Sequence, residues 1–184
     1  MTIEATPLNN SYIIKPNVFK DHRGSFIETY KAGMLEQAIG YKINFVQDNQ
    51  SISKYGAIRG FHFQTGEFAQ AKLVRVVKGE VLDVIIDLRP ESSTFKQSFC
   101  YKLNDDNNHQ LFIPRGFAHG FSTLSEEAIF AYKCDNFYNK ASERGIAFND
   151  ETLNIDWGIA NDHQVVSEKD LNNPSLKQYL SHLV

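Results

Sequence analysis

Two hydrophobic periodicities divide the chain. Over residues 31–39, Met34, Leu35, Ala38 and Ile39 recur at helical spacing on one face, and Gly40 stands where a helix stops, so one early helix is predicted. Ahead of it, residues 11–14 read as a first strand closed by Pro16, and residues 19–28 begin as a polar turn and return to a strand. From about Phe45 the pattern becomes short strands. Residues 57–64 alternate, with Ile58, Gly60, His62 and Gln64 on one side and Arg59, Phe61 and Phe63 on the other. Residues 72–77 and 81–88 are β-branched runs joined through Lys78-Gly79-Glu80, a hairpin signal. Residues 95–103, 110–113, 117–123 and 128–135 complete the series, and the last of these puts Phe130, Tyr132 and Cys134 on one face. A short helix within 171–183 is expected to close the chain. Short strands at near-regular spacing with turn signals between them predict a mainly β fold, an antiparallel sandwich or barrel.

Composition narrows the classes. A length of 184 residues without repeats, low-complexity tracts or linkers fits a single domain over 1–184, large enough to bury a core without disulfide or metal staples. Phe 14 and Tyr 8 against Trp 1 and Met 2 agree with pleated surfaces. A formal charge of −3 supplies no basic excess for nucleic acid or an anionic membrane, so an anionic substrate would need a local basic pocket. No apolar run approaches the ~20 residues of a spanning helix, and residues 1–10 lack a secretory pattern. Cys100 and Cys134, with no CxxC, fit a reduced cytoplasmic setting.

Several residues could carry chemistry. Read alone, His62 fits a structural histidine or a general base. Lys72 fits a solvated edge lysine, or a cation beside a developing negative charge, because it shares the parity of Val74 and Val76. Tyr132 fits a satisfied buried aromatic or an acid. Arg23 and Arg59 fit surface arginines or a forked clamp on a phosphate or pyrophosphate. No GxGxxG, Walker or Gly-x-Ser-x-Gly pattern accompanies them.

The stretch Pro114-Arg115-Gly116-Phe117-Ala118-His119 has the Pro-x-Gly-x-x-His spacing and resembles the second motif of the cupin superfamily, which are jelly-roll (double-stranded β-helix) barrels. Metal-binding cupins carry His-x-His and a Glu in the first motif, whereas the matching stretch here is His62-Phe63-Gln64. His62 and His119 alone make a poor metal site, and Lys72 would repel a cation, so no metal is expected.

Together these motifs form a series. Phe19-x-Asp21-x-Arg23-Gly24-x-Phe26-x-Glu28, Gln47-Asp48-Asn49-x-Ser51, Arg59 to Gln64 and Gln70-Ala71-Lys72 come first. Asp83-Val84-x-x-Asp87-Leu88-Arg89, Ile113 to Phe121, Tyr138, Glu143-Arg144-Gly145-Ile146 and Ser167-Glu168-Lys169-Asp170 follow. In this order the chain resembles the dTDP-4-dehydrorhamnose 3,5-epimerase family from about Ser11 to Leu171. The resemblance implies a cupin jelly roll with a few short helices. It implies inversion at C3 and C5 of dTDP-4-dehydro-6-deoxy-D-glucose to dTDP-4-dehydro-L-rhamnose, without metal or redox cofactor, in dTDP-L-rhamnose biosynthesis.

It also implies roles. His62 would remove the proton alpha to the C4 ketone, Asp170 would orient His62, Lys72 would stabilise the enolate oxygen, and Tyr132 would be the acid on the opposite face. Arg23, Glu28, Gln47, Asn49, Arg59, His119, Glu143 and Lys169 would bind the nucleotide sugar, with Phe26 and Tyr138 near the thymine or its ribose. The segment carrying Arg23 to Glu28 would reach into the partner's site of a homodimer. Many relatives have Arg-Gly-Leu-His-Tyr-Gln where this chain has Arg59-Gly60-Phe61-His62-Phe63-Gln64, a Pro-rich stretch where it has residues 65–69, and Pro where it has Lys140. A single-site epimerase is the nearest rival, and a non-catalytic sugar-nucleotide-binding cupin is the rival from another class. The presence of both His62 and Asp170 counts against the non-catalytic reading.

Overall fold

The structure is a computed structural model that describes residues 1–181. In chain order the strands are β1 (Thr2–Ala5), β2 (Tyr12–Lys15), β3 (Val18–Asp21) and β4 (Gly24–Ile27), then helix α1 (Ala32–Ile39). Next come β5 (Gln47–Lys54), β6 (Ala57–Gln64), β7 (Lys72–Lys78), β8 (Glu80–Asp87) and β9 (Ser98–Asn104). They are followed by β10 (Gln110–Ile113), β11 (Phe117–Thr123), β12 (Glu127–Cys134) and β13 (Glu143–Gly145). Strand β14 (Val165–Val166) and helices α2 (Glu168–Leu171) and α3 (Leu176–Ser181) end the series.

The strands form two facing sheets of jelly-roll type. One has the order β1-β2-β10-β7-β12-β5; the other has β13-β6-β11-β8-β9, with β14 parallel to β6. Strand alternation sorts the side chains into three apolar layers. Val74 and Val76 of β7, Leu111 and Ile113 of β10 and Phe130 of β12 point inward from the first sheet, against Val81 and Ile85 of β8 and Phe117 and Phe121 of β11. Leu73 and Phe112 point outward and pack beneath Leu35 of α1. Ile58, Phe61, Val84 and Ile86 point outward from the second sheet and are covered by Ile146, Trp157 and Leu176 of the C-terminal region. The sequence-predicted early helix is present, with Leu35 buried and Gly40 left-handed at its C-cap (φ 83°).

Two expectations are corrected. The runs around Lys78-Gly79-Glu80 do not pair as a hairpin: β7 lies in the first sheet and β8 in the second, so the turn is a corner that hands the chain across the barrel. Gly79 has φ 82° there, and a Cβ on it would lie 2.2 Å from the Glu127 carbonyl oxygen. The short helix expected within 171–183 is present as α3, separated from α2 by a break containing Pro174, whose missing N–H cannot continue the first helix. The last part of that expectation, Leu183, lies outside the described residues.

The second correction shapes the site. Strict alternation in β6 fails at Gly60. His119 of β11 pairs with His62, but Phe121 pairs with Arg59, so β6 carries one extra residue, a β-bulge. Gly60 has φ 133°, and a Cβ there would lie 2.6 Å from the Gly120 Cα. The bulge reverses the phase of the strand. Ile58, Phe61 and Phe63 share the outer apolar layer, while Arg59, His62 and Gln64 reach the space between the sheets.

Candidate active site

A cavity of about 450 Å³ opens between the two sheets. The second sheet contributes Arg59 and His62 from β6 and His119 from β11. The first contributes Gln47 and Asn49 from β5, Lys72 from β7 and Tyr132 from β12. Tyr138 and Glu143 also line it.

His62 Nε2 donates to Asp170 Oδ1 at 2.6 Å. Asp170 is buried at 3% exposure and fixed by the start of α2, where Ser167 caps the helix and its Oγ accepts from the Asp170 N–H at 3.1 Å. Asp170 Oδ2 accepts from the Gly60 N–H at 3.2 Å, so the bulge also anchors the carboxylate. Burial pushes the Asp170 carboxyl up, but the hydrogen bond from His62, its charge, and the donors of Gly60 and Ser167 outweigh this and hold it below the ordinary range.

A second histidine–carboxylate pair lies deeper. His119 Nε2 donates to Asp83 Oδ2 at 2.9 Å, with both side chains buried. Burial pushes the His119 imidazole down, and Asp83 opposes that only in part. The Phe130 ring lies nearly parallel to His119 at 6.0 Å and to Phe121 at 4.3 Å. Burial lowers the Lys72 ammonium, and the nearby Asp83 and Glu143 oppose that only in part. Lys72 Nζ stands 5.8 Å from the centre of the Tyr132 ring. Tyr132 is raised, first by burial and then by Cys134. Burial pushes the Cys134 thiol up to about 11, with Lys72 opposing.

The rim is a hydrogen-bonded chain. Gln47 Nε2 donates to Asn49 Oδ1 (3.0 Å), and Gln47 Oε1 accepts from the Tyr138 N–H (3.1 Å). The Tyr138 hydroxyl donates to Glu143 Oε2 (3.0 Å), whose other oxygen receives Lys169 Nζ at 2.5 Å. Burial raises Glu143, but the Lys169 and Tyr138 hydrogen bonds prevail and lower it. Arg59 is held through Nε on Ser53 Oγ at 3.0 Å.

The structure therefore gathers Gln47, Asn49, Arg59, His62, Lys72, His119, Tyr132, Tyr138 and Glu143 at one cavity, with Asp170 behind His62 and Lys169 on Glu143. It does not bring Arg23, Phe26 or Glu28 there. Strands β3 and β4 form a separate two-stranded sheet, on which Phe26 is 68% exposed and Arg23 pairs with Asp21 at 2.6 Å. Glu28 follows that hairpin and lies 3.7 Å from Lys31. The role of Asp83 escaped the sequence reading, although its parity with Val81 and Ile85 already aimed it inward. Gln64 was missed as the residue that ties down the rim: its amide donates to the Phe68 and Phe137 carbonyls and accepts from the Asn139 N–H. Among the described residues no three His, Cys, Asp or Glu side chains come together in a way that could hold a metal ion. None of the described helices is long and apolar enough to cross a membrane.

Comparison with known proteins adds a family to this geometry. A family model described as dTDP-4-dehydrorhamnose 3,5-epimerase matches residues 5–178. The protein of that name from Salmonella typhimurium is 48% identical over 180 residues, covering 98% of each chain. The crystal structure of the Elizabethkingia anophelis protein of the same name superposes with a TM-score of 0.93 at 50% identity, covering 97% of each chain. A Legionella pneumophila dTDP-6-deoxy-D-glucose-3,5-epimerase, solved in complex with dTDP-4-keto-L-rhamnose, superposes with a TM-score of 0.93 at 40% identity, covering 100% of this chain and 96% of that one.

Proposed function

The chain belongs to the dTDP-4-dehydrorhamnose 3,5-epimerase family, and from that premise we propose how its own residues carry the reaction. It is an isomerase that converts dTDP-4-dehydro-6-deoxy-D-glucose to dTDP-4-dehydro-L-rhamnose in dTDP-rhamnose biosynthesis. The observation that carries the assignment of roles is an opposition. His62, with Asp170 behind it, enters the cavity from one sheet, and Lys72 and Tyr132 enter from the other.

A C–H bond beside a ketone is acidic only when the enolate is stabilised. His62 Nε2 is held by Asp170, so the free ring nitrogen, Nδ1, is the base. The ionised Asp170 stabilises the imidazolium formed by proton uptake. Lys72 faces the C4 oxygen as negative charge develops there. Tyr132 returns a proton from the other wall, so the carbon inverts. One base and one acid serve both C3 and C5, since both carbons flank the same C4 ketone.

Each inversion leaves a proton on His62 and a phenolate at Tyr132. Both groups must reset before the next inversion, and solvent is the exchange partner. Gln47, Asn49, Arg59, His119, Tyr138, Glu143 and Lys169 bind the nucleotide sugar, with Arg59 supplying local positive charge for the pyrophosphate that the chain's net charge does not provide. Arg23, Phe26 and Glu28 complete the site of a partner subunit in a homodimer. That reading is supported by a hairpin that stands apart from both sheets with Phe19 and Phe26 exposed.

The test is NMR with dTDP-4-keto-6-deoxy-D-glucose in deuterated water, following configuration and isotope at C3 and C5. Deuterium with inversion at both carbons is expected. Inversion at one carbon alone would make the protein a single-site relative, and no exchange would remove the assigned roles.

A further inference from the structure

Asp83 is fully buried, and its two oxygens differ. Oδ2 accepts from His119, whereas Oδ1 is buried with no hydrogen-bond partner. Leaving a carboxylate oxygen buried and unsatisfied is costly. Its position on β8 gives a reason. Val81, Asp83 and Ile85 point into the barrel, as do Lys72, Val74 and Val76 of β7, so Asp83 and Lys72 face the same interior from opposite sheets. Lys72 makes no hydrogen bond or ion pair of its own within the described residues. The groups that face it are Asp83 on β8, Glu143 on β13, Cys134 and Tyr132 on β12, His119 on β11 and His62 on β6. Glu143 is already neutralised by Lys169, and Cys134 is a protonated thiol at neutral pH. Asp83 is the remaining carboxylate.

We propose that Asp83 is a positioning residue for the reaction: one oxygen orients His119, and the charge on the other holds Lys72 as an ammonium at the cavity wall. The inference rests on the reading of Lys72 as the cation at the enolate oxygen. A neutral amine there could not balance the developing charge, and burial alone drives lysine towards that neutral form.

The experiment is lysine 13Cε NMR titration of the full chain, with the Lys72 resonance identified by its loss in Lys72→Arg, alongside the pH profile of kcat/KM. In Asp83→Asn the Lys72 titration is expected to fall by at least about one pH unit, since a tenfold change in protonation equilibrium is one unit. The basic limb of kcat/KM should move down with it. A folded Asp83→Asn protein with an unmoved Lys72 titration, or with a basic limb of kcat/KM that stays in place, would overturn the proposal. Asp83→Ser, which leaves room for a water, gives the same readout if the Asn variant does not fold. Lys72→Met separates the two readings. If it retains turnover, the role of Lys72 is wrong; if it loses turnover while the Asp83 variants leave the titration in place, only the inference about Asp83 fails.

Discussion

His62 Nε2 lies 2.6 Å from Oδ1 of Asp170, a residue 108 positions further along the chain. One strand and one short C-terminal helix thus meet at a single proton-holding pair. Because Asp170 fixes the ring by Nε2, replacing it with Asn should cost turnover through tautomer and orientation. Asp170→Asn is expected to lower kcat by about 10²–10⁴, and His62→Ala to remove measurable turnover, since positioned general bases contribute on that scale. Binding of dTDP, followed by calorimetry, should change little in either. Substantial turnover in His62→Ala would remove His62 as the base.

Tyr132 stands on the opposite wall, and its hydroxyl is held protonated by burial. Tyr132→Phe therefore keeps the base and the cation but loses the acid. Solvent deuterium should still enter the substrate through His62, with retention, while net inversion falls by at least about 10²-fold. Following isotope and configuration in one NMR time course checks this. Parallel loss of exchange and inversion would argue that Tyr132 has another task.

Much of this site was legible from residue types and order, because cavity residues on β7, β11 and β12 obey simple alternation: Lys72 with Val74, His119 with Phe121, Tyr132 with Phe130. Two things were not. Strand alternation describes neighbours on one strand, not which sheet the next strand joins, so the corner at Gly79 read as a hairpin. The bulge at Gly60 depends on contact with Gly120, 60 positions away in sequence, which no local pattern on β6 contains.

The Gly60 contact makes its own prediction. Any side chain there meets both a backbone conformation that L residues rarely adopt and the Gly120 Cα at 2.6 Å. Gly60→Ala is expected to cost on the order of 2–3 kcal/mol of stability. It should also lower kcat by about 10²-fold through misplacement of His62 two residues on. Urea unfolding and steady-state rates would check both. A variant with native stability and native rate would show that β6 reaches the same phase without the bulge.

Asp87 offers a stability prediction independent of the cavity. Its side chain is wholly buried, and Oδ1 accepts from Arg89 Nε at 2.8 Å. Oδ2 accepts from an Arg89 terminal nitrogen at 2.7 Å, Ser92 Oγ at 2.5 Å and Thr94 Oγ1 at 2.7 Å. The Arg89 guanidinium in turn lies 4.6 Å from the centre of the Phe117 ring. Burial raises the Asp87 carboxyl, but these donors outweigh it and lower the pKa below the ordinary 3.8. A carboxyl with a depressed folded-state pKa contributes stability that is fully present above the unfolded-state value and is lost as pH falls through the folded-state value. Asp87→Asn should therefore cost on the order of 3 kcal/mol at neutral pH, the scale of breaking a buried ion pair. The difference between the two proteins should shrink on acidification below pH 3.8. Urea unfolding at a series of pH values reads this directly. A difference that stays constant down through that range would mean that Asp87 acts by packing alone, and turnover under folded conditions should be unchanged because none of these groups lines the cavity.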